Sequence, residues 1–409
     1  MIKASIEDLA FGGNGVLKDN GFVVFVPFTA PQDVVTVNLT QKKKSHGFGT
    51  LVSIEQKSPQ RIEPKCPHYG TCGGCQLQHI NYPAQLEAKR NFVQDALKRI
   101  GRIDFPVPPV VPASLEWNYR KHIRLNLRVK GLGFQAGYIG CDGQQFVPVA
   151  SCPLFAEEPW DIALETLFNL GIEQGSLRIF KTSADKLILA FSFSPAIPKN
   201  REAFAKATLK DNIQGIVFQA PGQKESYGTV HDEITVEEFR FRYSPYGFIQ
   251  NHPEQSLNIY RTLREMITPS HKQVLDLYCG IGISSLLLKR DVIGIESHPD
   301  SVKFALENAR LNQVTSVKFV EAKVESAKIY QYRADTVLVN PPRTGLPPSV
   351  IADLLNLKAK ELLYTSCMPS TLARDLKDLT PFYKIQEVKA FDMFPQTTHV
   401  ETIVKLQRK

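Results

Sequence analysis

The chain has 409 residues, 43% hydrophobic and 22% charged, which is ordinary for a globular protein of two to four domains. No apolar run of about 18 residues is present to span a membrane, and the start "MIKASIEDLAFGG" lacks the apolar stretch of a signal peptide, so a cytoplasmic protein is expected. The net charge of +8, from 49 Lys and Arg against 41 Asp and Glu, favours an anionic partner such as nucleic acid.

Residues 1–55 read as a small β unit. "GFVVFVPF" and "QDVVTVNLT" are β-branched runs bounded by Gly, Pro and Asn, and "GGNG" at 12–15 is a turn. "QKKKSHGFG" at 41–49 is expected to be a basic loop carrying an aromatic, as on the edge of an OB-like barrel that meets phosphate. "CPHYGTCGGCQLQH" follows, with Cys66, Cys72 and Cys75 in fourteen residues. In a reducing compartment such cysteines suit metal ligation or nucleophilic chemistry better than disulfides, and the total of seven is odd.

A helix is expected over 81–101, with Leu86, Phe92, Val93, Ala96 and Leu97 on one face and Gly101 at its end. "FPVPPVVPAS" is a proline-rich connector. In "YRKHIRLNLRVKG", 119–131, Ile123, Leu125, Leu127 and Val129 alternate with Arg124, Asn126, Arg128 and Lys130, the pattern of a half-buried strand. Its basic face suits either RNA contact or the guarding of a sheet edge. From about 240 onward, "QVLDLYCG", "DVIGIE", "ADTVLVN" and "KELLYTS" are apolar runs separated by helical stretches, which predicts a parallel sheet covered by helices.

Three motifs in this last part carry chemistry. In "VLDLYCGIGISSLLL" a strand ends near Asp276, Gly280 and Gly282 turn the backbone, and a helix begins; Glu296 closes the next strand, where an acid suits a ribose diol. That spacing is similar to a class I S-adenosylmethionine site. "VLVNPPRTGL" puts Asn340 at a strand's C-terminal end; Asn-Pro-Pro also occurs in methyltransferases of exocyclic amines, though Arg343 stands where those have an aromatic. "LLYTSCMPSTLARDL" puts Cys367 between a strand and a helix. A thiolate there could add to carbon 6 of uracil and make carbon 5 nucleophilic enough to attack a methyl sulfonium. Removing the carbon 5 proton then needs a base, and "HVETIVKL" offers His399 or Glu401.

"CPHYGTCGGCQLQHINYPAQLEAKR", "DLYCGIG", "NPPRTGL", "SCMPSTLARDL" and "DMFPQTTHVETIVKL" together resemble the RNA uracil-C5 methyltransferases, and more closely the bacterial 23S rRNA enzymes with a TRAM domain and an iron–sulfur cluster. The resemblance covers nearly the whole chain. It implies an α/β multidomain fold: an N-terminal OB-like TRAM barrel over 1–55, a central α+β iron–sulfur and RNA-binding domain over 56–235, and a Rossmann-like class I methyltransferase domain over 236–409. It implies Cys367 as nucleophile and Glu401 as base. Tyr278, Glu296, Asn340 and Gln250, in the Phe-x-Gln motif of "YGFIQNHP", are implied as cofactor contacts. The family aspartate falls on Asn340, so contacts there are hydrogen bonds without charge; Met368 and Ile283 are further departures.

The same resemblance implies a 4Fe-4S cluster on Cys66, Cys72, Cys75 and Cys152, three clustered ligands and one remote, whereas structural zinc more often takes two Cys pairs. Such a cluster would tie the helix after Cys75 to the region before Cys152. The expected partner is RNA, with 23S rRNA ahead of a tRNA T-loop, acted on by a monomer, and the target uridine must leave its stack to reach Cys367. Two rivals are an exocyclic-amine RNA methyltransferase, which needs no cysteine, and a non-catalytic RNA-binding iron–sulfur protein.

Overall fold

The computed structural model describes residues 1–409 apart from 157, 161, 173, 211 and 248. Six strands form the N-terminal sheet: Ile2–Ser5, Asp8–Leu9, Gly15–Asp19, Phe22–Val26, Val34–Lys42 and His46–Gln56. Ile2–Ser5 pairs with Val34–Lys42 at one edge, while Asp8–Leu9 pairs with Gly15–Asp19 at the other. One stretch, residues 2–9, therefore pairs with both sides of the sheet and curls it into a barrel. Three register breaks between the two longest strands bend them around a core of Ile6, Leu17, Val24, Val26, Val35 and Val37. The expected basic loop is shorter than the sequence suggests. The strands run to Lys42 and resume at His46, leaving a tip in which Lys43 and Lys44 are exposed and Lys43 Nζ lies 5.4 Å from the Phe48 ring centre.

Asn81 caps the helix Tyr82–Ala96 by accepting the Ala84 N–H on its side chain. The α-helix stops earlier than expected, and a π turn, Leu97–Gly101, carries the chain to Arg102 in the left-handed region. Although this helix lies early in the chain, it binds two distant parts together. Phe92 packs with Leu9, Ala30 and Leu77, while Val93, Ala96 and Leu97 join the core of the C-terminal sheet. The proline-rich connector follows it there, with Val111 bridged to Phe391.

The central sheet has seven strands in the order Gln223–Gly228, Ile213–Ala220, Leu187–Ser194, Gln174–Lys181, His122–Lys130, Gly133–Ile139, Phe146–Pro148. His122–Lys130 pairs on both sides, so its basic face is not an edge guard. Ile123, Leu125 and Leu127 are buried as expected; Val129 is not, at 50% exposed near the strand end.

The C-terminal sheet also has seven strands, in the order Val317–Glu321, Asp291–Glu296, Gln273–Leu277, Thr336–Val339, Glu361–Ser366, Glu401–Arg408, Tyr383–Phe391. All run parallel except Glu401–Arg408, which is antiparallel to both neighbours. The order reverses beside Gln273–Leu277, the position at which open α/β sheets bind ligands. Helices Pro299–Leu311, Pro348–Leu357 and Pro369–Leu379 alternate with the strands. The α/β multidomain class, the N-terminal barrel and the Rossmann-like sheet are as the sequence predicts. Among the described residues no helix is long and apolar enough to cross a membrane.

Candidate active site

The strand Gln273–Leu277 ends in Tyr278, at φ +63°, and the turn continues through Gly280 and Gly282 into a short helix, Ile283–Leu287. Gly282 has no alternative: its φ is +83° and an added Cβ would lie 2.6 Å from the Phe319 ring. Asp276 is buried beneath the turn and accepts the Ser284 and Ser285 hydroxyls at 2.7 and 2.6 Å. Burial pushes its carboxyl up to about 6 even so. Glu296 Oε2 accepts the Gly280 N–H at 3.1 Å, and its Oε1 accepts the N–H groups of Ser297 and His298. The Ser297 hydroxyl adds a long bond to Oε1 at 3.4 Å, so Oε1 is fully engaged and Oε2, with the Gly280 N–H alone, keeps a lone pair for the expected ribose contact.

A cavity of about 490 Å³ opens at the ends of these strands. Cys367, Glu401, Gln250, Tyr278, Glu296 and Asn340 all line it. A smaller cavity of about 50 Å³, lined by Asp276 and the glycine turn, shares Gln250, Tyr278 and Asn340 with it. The Phe of the Phe-x-Gln motif, Phe248, lies outside the described residues. Cys367 follows Glu361–Ser366 and is pushed up to about 11 by burial and by the Glu401 charge, against the attraction of Arg343. Glu401 opens its strand at 3% exposure, and burial pushes its carboxyl up to about 8, with Arg343 again opposing. His399, the other candidate base, does not line the cavity. Its ring packs edge-on against Phe11 and Phe394, and burial drives its pKa down to about 4.

Relatives cover the chain from end to end. It is 43% identical over 423 residues to an uncharacterized RNA methyltransferase of Protochlamydia amoebophila (strain UWE25), across 100% of this chain and 98% of that one. Residues 223–409 match the family model of tRNA (uracil-5-)-methyltransferases, and residues 2–59 match that of the tRNA (uracil(54)-C(5))-methyltransferase TRAM domain. The chain belongs to the TRAM-domain RNA (uracil-C5) methyltransferase family. These are class I enzymes that take their methyl group from S-adenosylmethionine. An uncharacterized RNA methyltransferase of Bacillus cereus (strain ATCC 10987 / NRS 248) is 33% identical over 443 residues, across 100% of this chain and 96% of that one. The crystal structure of the Pyrococcus abyssi tRNA (uracil-54, C5)-methyltransferase in complex with S-adenosyl-L-homocysteine superposes with a TM-score of 0.76 at 26% identity, over 99% of this chain and 100% of that one. The amine-methylating and non-catalytic readings give way to the family.

Five residues that line the main cavity of this methyltransferase are not marked by its sequence as site residues: His122, Ile249, Asn251, Arg343 and Phe394. Arg343 lies in "VLVNPPRTGL", where the sequence marks it only as the residue that replaces an aromatic. His122 lay on the polar face of a strand, where nothing local marks a residue as facing a cavity built by another sheet.

The stretch from Asp392 to Gln396, between the last two strands, is held from outside its own sheet. Gln396 O accepts the N–H groups of Gln76 and Leu77, next to Cys75. Gln85 and Gln396 exchange two hydrogen bonds, Gln85 Nε2 to Gln396 Oε1 at 2.9 Å and Gln396 N to Gln85 Oε1 at 3.0 Å. Lys89 Nζ donates to Asp392 Oδ1 at 2.5 Å and to the Phe394 carbonyl at 3.0 Å, with both side chains of the ion pair at 0% exposure.

Cys66, Cys72, Cys75 and Cys152 line one pocket, so the remote cysteine joins the clustered three. Two donors in its wall, Arg120 Nε and Tyr138 Oη, are buried without a well-formed hydrogen bond among the described residues, although Tyr138 lies close to Cys152. Burial pushes the Cys75 thiol up to about 12. Among the described residues, no three His, Cys, Asp or Glu side chains gather as they would on a metal ion.

Proposed function

We propose that this enzyme methylates carbon 5 of a uridine in 23S rRNA through a covalent adduct, with Cys367 as nucleophile and Glu401 as base. The carrying observation is that Cys367, Glu401, Gln250, Tyr278, Glu296 and Asn340 line one cavity beside the glycine turn. S-adenosylmethionine, when bound, supplies an electrophilic methyl group. Gln250, Tyr278, Glu296 and Asn340 are the residues proposed to hold it, with Asn340 offering hydrogen bonds where the family has a charge.

The uridine leaves its stack to enter the cavity. Arg343 favours the Cys367 thiolate, whose lone pair forms a bond to carbon 6. The C5=C6 electron pair moves toward C4, leaving an enolate on O4. Carbon 5 of this enolate takes the methyl group. Glu401 then accepts the carbon 5 proton; the C–H pair re-forms C5=C6, and the sulfur departs with the C6–S pair. Glu401 must be ionised for that last step, so with its carboxyl near 8 the rate of release rises with pH through that region.

In this reading residues 1–55 and 56–235 hold the RNA, residues 236–409 do the chemistry, and the protein works as a cytoplasmic monomer. Cys66, Cys72, Cys75 and Cys152 are proposed as ligands of a 4Fe-4S cluster. Its support is four thiols on one pocket together with Arg120 Nε and Tyr138 Oη, buried donors that an anionic sulfur-rich group would satisfy. The cluster has no part in methyl transfer; its ligand loop braces the Phe394–Glu401 segment through Gln76 and Leu77.

A tRNA T-loop is the second reading of the substrate, favoured by the likeness over the whole chain to the Pyrococcus abyssi tRNA enzyme. Methyl incorporation from labelled S-adenosylmethionine into rRNA and tRNA lacking 5-methyluridine tests both. Label confined to 23S rRNA supports the first reading, and label confined to tRNA replaces it with the second.

A further inference from the structure

A cavity of about 580 Å³ lies on the outer side of the N-terminal barrel, between it and the cysteine loop. Strands Phe22–Val26 and His46–Gln56 run parallel there, with Phe25 directly opposite Phe48. Val24 and Val26 point into the barrel core, so Phe25 between them points out, and Phe48 beside it does the same. The two rings are half-buried, their centres are 5.6 Å apart, and both line the cavity. His46 stands edge-on to each, at 5.7 and 5.6 Å. The other wall is built from the cysteine loop and the turn after Gly133–Ile139, tied together by the Gly73 N–H, which donates to the Ile139 carbonyl at 3.0 Å. Much of that wall is bare backbone, since Gly73, Gly140 and Gly143 line it. An added Cβ at Gly143 would meet nothing within 4 Å, so the space beside it is open. Two aromatic faces opposite a glycine wall leave a slot that a planar ring can fill by stacking.

The charges around the slot are arranged by sign. Lys42, Lys43 and Lys44 are exposed next to Phe48, and Lys43 Nζ lies 5.4 Å from its ring centre. The carboxylate on the glycine wall belongs to Asp142, which is exposed. Its Oδ1 accepts the N–H groups of Gln144 and Gln145, both at 2.9 Å, which leaves Oδ2 as an acceptor. A carboxylate repels phosphate and takes the amino group of a base. The cavity also adjoins the reaction. Gln76 lines it, donates its backbone N–H to the Gln396 carbonyl at 3.1 Å, and accepts the Thr398 N–H on Oε1 at 3.4 Å. Phe394 and Glu401, at the two ends of that stretch, line the reaction cavity, so one short piece of chain connects the walls of both.

We propose that this cleft seats a second unstacked base of the bound RNA, stacked on Phe48, while the target uridine enters the reaction cavity. This rests on the reading above that residues 1–55 and 56–235 hold RNA. A single strand is held where aromatic faces and lysines lie side by side along a groove, and the cleft has both. The base goes inward, toward the glycine wall and Asp142, and its phosphates stay at the lysine rim. A peptide anchor fits less well, because an apolar side chain would meet bare backbone and a carboxylate there. With two bases held at once the strand has a fixed register, so a uridine reaches Cys367 only when the right neighbour is already seated.

The test pairs the ring with the base. A synthetic RNA fragment containing the uridine that takes the methyl group is made with a single abasic nucleotide at each other position in turn. The affinity of every fragment is measured by fluorescence anisotropy for wild type, Phe48→Leu and Phe48→Tyr. Phe48→Leu keeps an apolar side chain on the barrel and removes the ring; Phe48→Tyr keeps the ring. In wild type one abasic position should cost about 5- to 150-fold in affinity, the worth of one base–aromatic stack. Phe48→Leu should bind the intact fragment more weakly by a similar factor and lose nothing more at that position, while Phe48→Tyr should follow wild type. A merely damaged barrel would weaken all fragments alike and leave the abasic cost in place. An abasic cost undiminished in Phe48→Leu, or no costly position at all, overturns the inference while methylation stands. A protein that methylates no RNA loses the proposed function instead. The site is then judged on a mixed-sequence single-stranded oligoribonucleotide: weaker binding by Phe48→Leu, with Phe48→Tyr equal to wild type, upholds it, and equal binding by all three overturns it too.

Discussion

Replacing Glu401 with Gln should stop turnover yet make the protein more stable at alkaline pH. The side chain is 3% exposed, and burial raises its carboxyl from an ordinary 4.5 to about 8. Below pH 4.5 the carboxyl is protonated in both folded and unfolded chains and adds nothing to the pH dependence. Between 4.5 and about 8 the unfolded chain has lost a proton that the folded chain retains, so stability falls as pH rises. The interval of about 3.5 pH units, at 1.36 kcal/mol each, sets the loss at roughly 5 kcal/mol. Glutamine carries the same shape without the titration. The gap between variant and wild type should therefore be small near pH 4.5 and widen to about 5 kcal/mol by pH 8.5. For a domain of about 150–250 residues that amounts to roughly 10–20 °C in melting temperature. Thermal melts of both proteins at half-unit pH steps measure it. Parallel curves for the two proteins would refute the claim that Glu401 is held protonated by its burial.

Lys89→Ala should leave Asp392 charged and unpaired in a site of 0% exposure, at a cost of about 3–5 kcal/mol in denaturant unfolding. It should also lower methyl transfer, since Lys89 also holds the Phe394 carbonyl. Gly282→Ala forces both a left-handed backbone and a Cβ against Phe319, so calorimetric binding of S-adenosylhomocysteine should be lost while the N-terminal barrel remains folded by NMR or proteolysis. Cys152→Ser should remove iron and visible absorption from the anaerobically purified protein; a variant retaining full iron and absorption would discard the four-cysteine assignment.

Much of the C-terminal sheet is legible because its strands are continuous apolar runs closed by polar residues. "DVIGIE" reads as a strand from Asp291 to Glu296, and those are its bounds. That Cys367 and Glu401 line the cavity fits their place at the boundary between a strand and a loop, where side chains of an open sheet reach the ligand face; the roles expected of them come from the family resemblance and not from that position. What the local pattern could not carry is pairing across the chain. The helix after the cysteine loop obeys its expected face, yet nothing in its period says that Phe92 meets the barrel while Val93 and Ala96 meet the last sheet. The Val111–Phe391 bridge joins residues 280 apart in sequence. His122 was hidden by the same limit. Its alternation marks it polar, and only the loop carrying Asn251 turns that polar position into part of a reaction cavity.

The measurement that tests the central claim most directly is tritium release from RNA labelled at carbon 5 of uridine. Wild type and Cys367→Ala are each incubated with S-adenosylmethionine and with rRNA and tRNA lacking 5-methyluridine. Release by wild type and none by Cys367→Ala is the predicted result, since every methyl gained at carbon 5 costs one carbon 5 hydrogen and the thiol is needed to activate that carbon. Equal release from the two proteins, or methylation of either RNA without release, would contradict it.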